Sequence, residues 1–173
     1  MSIVDLFQEK TVFSFEVFPP RRNSPVETIY DTLDELRDLR PDFISVTYGA
    51  GGGKNNQSTI PIAEHIKKVC HVPSVVHFPC INLTKQDVLE KIEELKTAGI
   101  KNILALRGDI PEGEENRGDF RYASDLIAFL KEHGNFHISA ACYPEGHVES
   151  ADRVEDIRYL KNKVDAGAEN LIS

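Results

Sequence analysis

Basic residues are in the minority in this sequence. Twenty-eight acids stand against 20 lysines and arginines, a formal net charge of −8. That balance argues against a general nucleic-acid binder, which needs a positive field over phosphates. Any anionic ligand must therefore meet local basic groups. Long apolar runs are missing too: no stretch approaches the ~20 residues of a membrane span, and the opening MSIVDLFQEK lacks a secretory pattern. Cysteine is limited to Cys70, Cys80 and Cys142, odd in number, widely spaced and without a C-x-x-C pair. These read as reduced thiols in a cytoplasmic protein. No low-complexity segment or compositional shift marks a linker, and 173 residues make one domain's worth of chain.

What is present is a repeated strand–helix unit. Apolar strand candidates lie near 12–18, 42–48, 74–80, 101–107 and 136–143, with another starting at Asn170; their ends recur about every thirty residues, the size of a βα unit. Amphipathic helices separate them. Ser24-Pro25-Val26-Glu27 combines an N-cap, a first-turn proline and a glutamate three residues after the cap, followed by the stripe Ile29, Leu33, Leu36 and Leu39. Thr84 to Asp87 opens another helix, with Val88, Ile92 and Leu95 on one face, and Val154, Ile157, Leu160 and Val164 repeat that spacing in the last one. Strict alternation implies a parallel sheet covered by helices, either an open doubly wound sheet or a (β/α)8 barrel. Strands ending near Glu16, Thr47, His77, Arg107 and Asp109 favour the barrel, whose active site gathers at strand C-termini. A full barrel takes ~250 residues. This chain holds five βα units plus the start of strand six and stops inside the apolar run Asn170–Ser173, so the expectation is a single domain over 1–173, the N-terminal part of a longer protein.

The strand ends carry the candidate chemistry. In FSFEVFPPRR, Phe13, Phe15 and Val17 alternate with Ser14, Glu16 and Phe18, which puts an acid on an apolar strand. Two readings stand: an exposed acid or one paired with Arg21 or Arg22, and a general acid held in a low-dielectric barrel mouth. SVTYGAGGGKNN is not a phosphate loop, because Tyr48 and Asn55 occupy positions where G-x-x-x-x-G-K-[ST] requires Gly and Ser or Thr. It reads as a βα loop, with Thr47 and Tyr48 as ligand contacts. His77, in SVVHFPC, has no second His or Cys at metal spacing, so no metal site is expected. ALRGD offers Arg107 and Asp109 at a strand end, with Gly108 allowing close backbone approach. YPEGH (143–147) reads as a turn bearing aromatic, acidic and imidazole groups, and Lys163 as a surface lysine.

Taken in order, FSFEVFPPR, FISVTYGAGG, ALRGD, YASDL, AACYPEGH and KVDAGAE go beyond spacing. The chain resembles the N-terminal part of the methylenetetrahydrofolate reductase family. The resemblance implies a (β/α)8 barrel with FAD at the C-terminal face, reduced by NAD(P)H and reoxidised by methylenetetrahydrofolate. It also implies that Glu16 is the catalytic general acid and that Asp109 tunes the flavin and meets the pterin. Thr47, Tyr48, His77, Arg107, Gly108, Asp109, Tyr122, Ala123, Ser124, Tyr143, His147, Asp156 and Lys163 match positions lining the FAD site, where Lys163 would meet the dinucleotide's negative charge. Asn162, beside Lys163, departs from the family pattern, and a family glutamine that helps bind folate falls just past Ser173. The partners expected are NAD(P)H and the folate, in a cytoplasmic homo-oligomer with no nucleic acid and no membrane. The alternatives are a noncatalytic barrel fragment and a flavin-independent barrel enzyme acting on a pterin or phosphorylated substrate.

Overall fold

The computed structural model of the chain describes residues 2–20, 27–48, 58–110, 113 and 115–173. Among them, helices and strands alternate: α1 (Ile3–Glu9), β1 (Ser14–Val17), α2 (Glu27–Asp38), β2 (Phe43–Val46), α3 (Thr59–Lys68), β3 (Ser74–Pro79), α4 (Lys85–Ala98), β4 (Asn102–Leu106), α5 (Ala123–His133), β5 (His137–Ala141), α6 (Arg153–Asp165) and β6 (Asn170–Ile172). The six strands form one sheet in the order β1-β2-β3-β4-β5-β6, every neighbouring pair parallel. That order separates the two expected architectures. A doubly wound sheet reverses its strand order at a switch point, whereas here each strand is added beside the last and the sheet curls into a half-barrel of (β/α) type.

The pleat sorts side chains between two faces. Val17, Ile44, Val46, Val76, Phe78, Ile103, Ala105, Ile138 and Ala140 face outward, buried against Leu33 of α2, Ile62 and Ile66 of α3, Ile92 and Leu95 of α4 and Leu126 and Leu130 of α5. This layer is the main core. A smaller cluster of Phe43, Val75 and Leu104 lies on the inner face, closed by Ile3 of α1. The backbone N–H of Ile3 donates to Oδ1 of the buried Asn102 at 3.2 Å, which ties α1 under the N-terminal ends of the strands. Helix α1 is too short to show an apolar stripe in the sequence, although Ser2 is its N-cap and accepts from the Val4 N–H at 3.2 Å.

Local chemistry explains the well-formed helices. The Thr84 hydroxyl accepts from the Asp87 N–H at 3.2 Å, and the Asp87 carboxylate accepts from the Thr84 N–H at 2.8 Å, a reciprocal capping box that starts α4. Val88, Ile92 and Leu95 are then fully buried, as their spacing predicts. Residues Ser24 to Val26, the expected start of α2, lie outside the described residues, as do Arg21, Arg22 and most of the glycine-rich loop. Two expected stripes differ from the structure. Helix α2 ends at Asp38 and leaves Leu39 exposed, because Arg40 turns the chain at φ 54°. On α6, Val154, Ile157 and Val164 are exposed and only Leu160 is half-buried, since among the described residues α6 packs sideways on α5 at the end of the sheet. No helix among the described residues is long and apolar enough to cross a membrane.

Candidate functional site

The inner face turns polar toward the C-terminal ends of the strands. Ser14 to Val17 of β1 pair in register with Phe43 to Val46 of β2, which sets Glu16 beside Ser45. Val46 pairs with Val76, so Thr47 and His77 follow as neighbours on the same inner face. The Glu16 carboxylate comes within 3.3 Å of His77 Nε2, with side-chain exposures of 50% for Glu16 and 10% for His77. The contact lacks hydrogen-bond geometry: among the described residues, buried His77 Nε2 has no hydrogen-bond partner, and neither has Thr47 Oγ1. Burial pushes the His77 imidazole below its ordinary value, and the Glu16 charge offsets that only in part. His77 is thus a neutral, desolvated ring beside a half-exposed acid. Buried polar atoms are nearly always satisfied, so two unsatisfied ones on one face mark a surface shaped for something polar.

A second set forms over β4 and β5. The Arg107 guanidinium grips Glu149 with both terminal nitrogens, at 2.5 and 2.7 Å, while its Nε donates to the Gly108 carbonyl at 3.1 Å. The Arg107 hydrogen bond draws the Glu149 carboxyl below its ordinary range and holds the arginine correspondingly higher. Gly108 is required by its backbone: φ is +88°, and a Cβ there would stand 2.7 Å from Ile81 Cγ2. The close approach is to Ile81, within the protein. Tyr143 meets His147 edge-on at 4.9 Å across the turn at Gly146, and the His147 Nδ1 accepts from the Glu149 N–H at 3.2 Å. Lys163 donates to the Ala141 carbonyl at 2.7 Å at the end of β5. Burial lowers its pKa against the pull of Asp156, which is itself buried and accepts from Ser150 Oγ at 3.1 Å. Tyr122 stacks on Tyr159, rings 5.5 Å apart, just ahead of the buried Ala123 and half-buried Ser124 that open α5.

Comparison with known proteins decides what this arrangement belongs to. The profile of the family "Methylenetetrahydrofolate reductase" matches residues 2–173. The chain belongs to the methylenetetrahydrofolate reductase family. A 5,10-methylenetetrahydrofolate reductase of Pectobacterium carotovorum is 41% identical over 92% of this chain and 53% of its own length. Methylenetetrahydrofolate reductase (NADH) 1 of Arabidopsis thaliana is 36% identical over 96% of this chain and 30% of its own. The chain spans about half the length of the bacterial relatives it matches. Among solved structures, a phosphonopyruvate hydrolase in complex with oxalate and Mg2+ superposes with a TM-score of 0.66 at 13% identity, covering 99% of this chain and 62% of that one, a likeness of fold alone.

For a member of the methylenetetrahydrofolate reductase family, the positions implied by resemblance do not all come together here. Glu16, Thr47 and His77 share the inner face. Arg107, Gly108, Tyr143, His147, Asp156 and Lys163 stand on or after β4 and β5, and the Arg107 charge acts on Lys163. Asp109 is exposed one residue beyond Gly108. Tyr48 stands apart: its ring lines an open groove with Ile60 and Glu64 of α3 and Leu89 and Glu94 of α4, where burial, then the Glu94 charge, raises its pKa. Sequence reading missed Glu149, which occupies both ends of the Arg107 fork, and Tyr159, the partner of Tyr122. An acid six residues past Tyr143 was visible, but nothing local said that it would fold back onto Arg107.

Proposed function

We propose that this chain forms the FAD-binding half of a barrel that reduces 5,10-methylenetetrahydrofolate to 5-methyltetrahydrofolate with NAD(P)H, supplying methionine biosynthesis. The observation that carries the reading is the pairing of half-exposed Glu16 with buried, neutral His77 on the inner face, in a chain of this family. FAD, when bound, supplies hydride transfer from the nicotinamide to the folate. The residues fit such a group: Thr47 Oγ1 and His77 Nε2 are buried donors or acceptors without a partner, and Lys163 is a half-buried cation in an acidic chain. Lys163, with Tyr122 and the Tyr143–His147 turn, would hold the dinucleotide's phosphates and adenosine side. Arg107 and Asp109 would frame the ring, with Arg107 oriented by Glu149.

Glu16 then has one proton to deliver, to the folate nitrogen that leaves the one-carbon bridge when the five-membered ring opens. His77 acts differently. As a neutral ring it places no competing cation beside the acid.

The test is cofactor content in the full-length protein. It is expected to purify yellow and to release one equivalent of FAD on denaturation. Consistent failure to bind added FAD would remove the reading.

A further inference from the structure

The outer layer holds a second cluster, remote from the inner face and unused by the chemistry above. A ring nitrogen of His65, the Cys70 sulfur and a carboxylate oxygen of Asp34 all lie within 4.8 Å of one another. Two local features assemble it. The His65 carbonyl, at the end of α3, accepts from both the Val69 N–H at 2.8 Å and the Cys70 N–H at 3.2 Å, which curls the chain so that Cys70 returns beneath its own helix. Helix α2 then packs against α3 through the fully buried Leu33 and Ile66, and Asp34, next to Leu33, arrives from the neighbouring helix. Spacing around His77 gives no sign of the cluster, because the third member comes from another element.

The polar atoms there are poorly served from within the protein. His65 Nε2 is buried and has no hydrogen-bond partner, although the Tyr30 ring covers the imidazole at 4.3 Å. Among the described residues the Cys70 sulfur makes a long contact to the Leu33 carbonyl, at 4.0 Å, and burial followed by the Asp34 charge raises its thiol pKa. Asp34 is exposed, and among the described residues its ion pair is to Arg37 at 3.2 Å, a surface pair of small worth. An orphaned imidazole nitrogen, a thiol and a carboxylate at this separation are the donor types of a borderline-soft divalent cation.

We propose that Asp34, His65 and Cys70 form a binding site for Zn2+ or a chemically similar transition-metal ion, clipping α2 to α3. A tetrahedral zinc with bonds of about 2.0–2.3 Å sets its ligands roughly 3.3–3.7 Å apart. Closing the cluster to that size takes rotation of the exposed Asp34 side chain away from Arg37 and adjustment of the His65 and Cys70 side chains, with solvent as the fourth ligand. Binding displaces the thiol proton and replaces the Arg37–Asp34 pair. The occupant is a thiolate- and imidazole-seeking ion, and Mg2+, which prefers oxygen ligands and keeps its waters, is excluded.

The experiment uses the full-length protein, stripped with chelator and titrated with Co2+ as the spectroscopic probe and with Zn2+ in competition. One Co2+ per chain is expected, with a sulfur-to-metal charge-transfer band that Zn2+ abolishes and Mg2+ leaves unchanged. Cys70→Ala should remove the band. Because that position is buried, Asp34→Asn and His65→Gln serve as gentler variants, each expected to weaken Co2+ at least about 10-fold while keeping the far-UV spectrum of the parent. Zn2+ should raise the parent's Tm and leave that of Asp34→Asn nearly unmoved. Absence of a saturable thiolate band, or a band that survives His65→Gln and Asp34→Asn at parent affinity, would overturn the site.

Discussion

Oε2 of Glu16 and Nε2 of His77 lie 3.3 Å apart, yet one side chain is half-exposed and the other only 10% so. The asymmetry places the desolvation cost on the imidazole. His77 is held neutral because burial outweighs the attraction of the carboxylate, which leaves Glu16 as the residue to test for the proposed proton delivery.

Replacement of Glu16 by Gln keeps the shape and removes the proton. The expected outcome is a fall in folate reduction of about 10²- to 10⁴-fold, with NAD(P)H still bleaching the flavin at the parent rate. Stopped-flow measurement of the two half-reactions checks this. Folate reduction at the parent rate would strip Glu16 of the role.

Stability should depend on pH through His77, with a definite sign. Its folded pKa lies below the ordinary 6.5. The unfolded chain therefore binds more protons in this range, and the stability of the neutral ring is full above 6.5 and lost as pH falls below it. The depressed carboxylates do not confuse this window. Asp42, lowered by its hydrogen bond from Lys10, Glu149, lowered by Arg107, and Glu169, lowered by Lys131 and His137 despite burial, all start from 3.8 or 4.5 and lose their contributions at lower pH still. Thermal melts between about pH 7.5 and 5.5 should fall in Tm for the parent and fall less for His77→Gln. Parallel slopes would contradict it.

Gly108 and Gly146 provide a matched pair. Both have positive φ, +88° and +92°, but a Cβ at Gly108 strikes Ile81 Cγ2 at 2.7 Å, while at Gly146 the nearest atom is Arg153 Cγ at 3.8 Å. Gly146→Ala should cost only the backbone term, about 1–2 kcal/mol. Gly108→Ala adds overpacking of about 1–3 kcal/mol. Urea denaturation of both variants compares them, and equal losses would mean that Ile81 yields without cost.

The Arg107–Glu149 fork is open to a double-mutant cycle. Its geometry is bidentate, but Glu149 is more than half exposed, at 54% of its side chain, so solvent screening limits the coupling to about 0.5–1 kcal/mol. Arg107→Ala, Glu149→Ala and the pair should return that value at low salt and less at high salt. A larger effect on FAD retention than on stability would mark Glu149 as a positioning residue for Arg107.

Much of the fold was legible because its signals are local. Strand periodicity, the Thr84–Asp87 cap and the βα repeat depend on neighbours within a few residues, and β2 to β5 fall inside their expected ranges. The α6 stripe misled for the opposite reason: spacing says that a face is apolar but not whether anything covers it. That Glu16 lies on the face opposite Phe15 and Val17 followed from a period of two. Its contact with His77 did not, because that distance is set by strand stagger and curl across three strands.

The sequence alone therefore determined the family, the strand–helix alternation from β1 onward and the strand face that Glu16 shares with Ser14, since motif order and alternation are properties of the chain. Tertiary structure alone decided that His77 is the buried partner, that Arg107 is already gripped by Glu149, that Tyr48 points into the α3–α4 groove, and that Asp34 meets His65 and Cys70. Each of these joins residues from different elements, and only packing, through the loss of water and the fixing of distance, gives such pairs their chemistry.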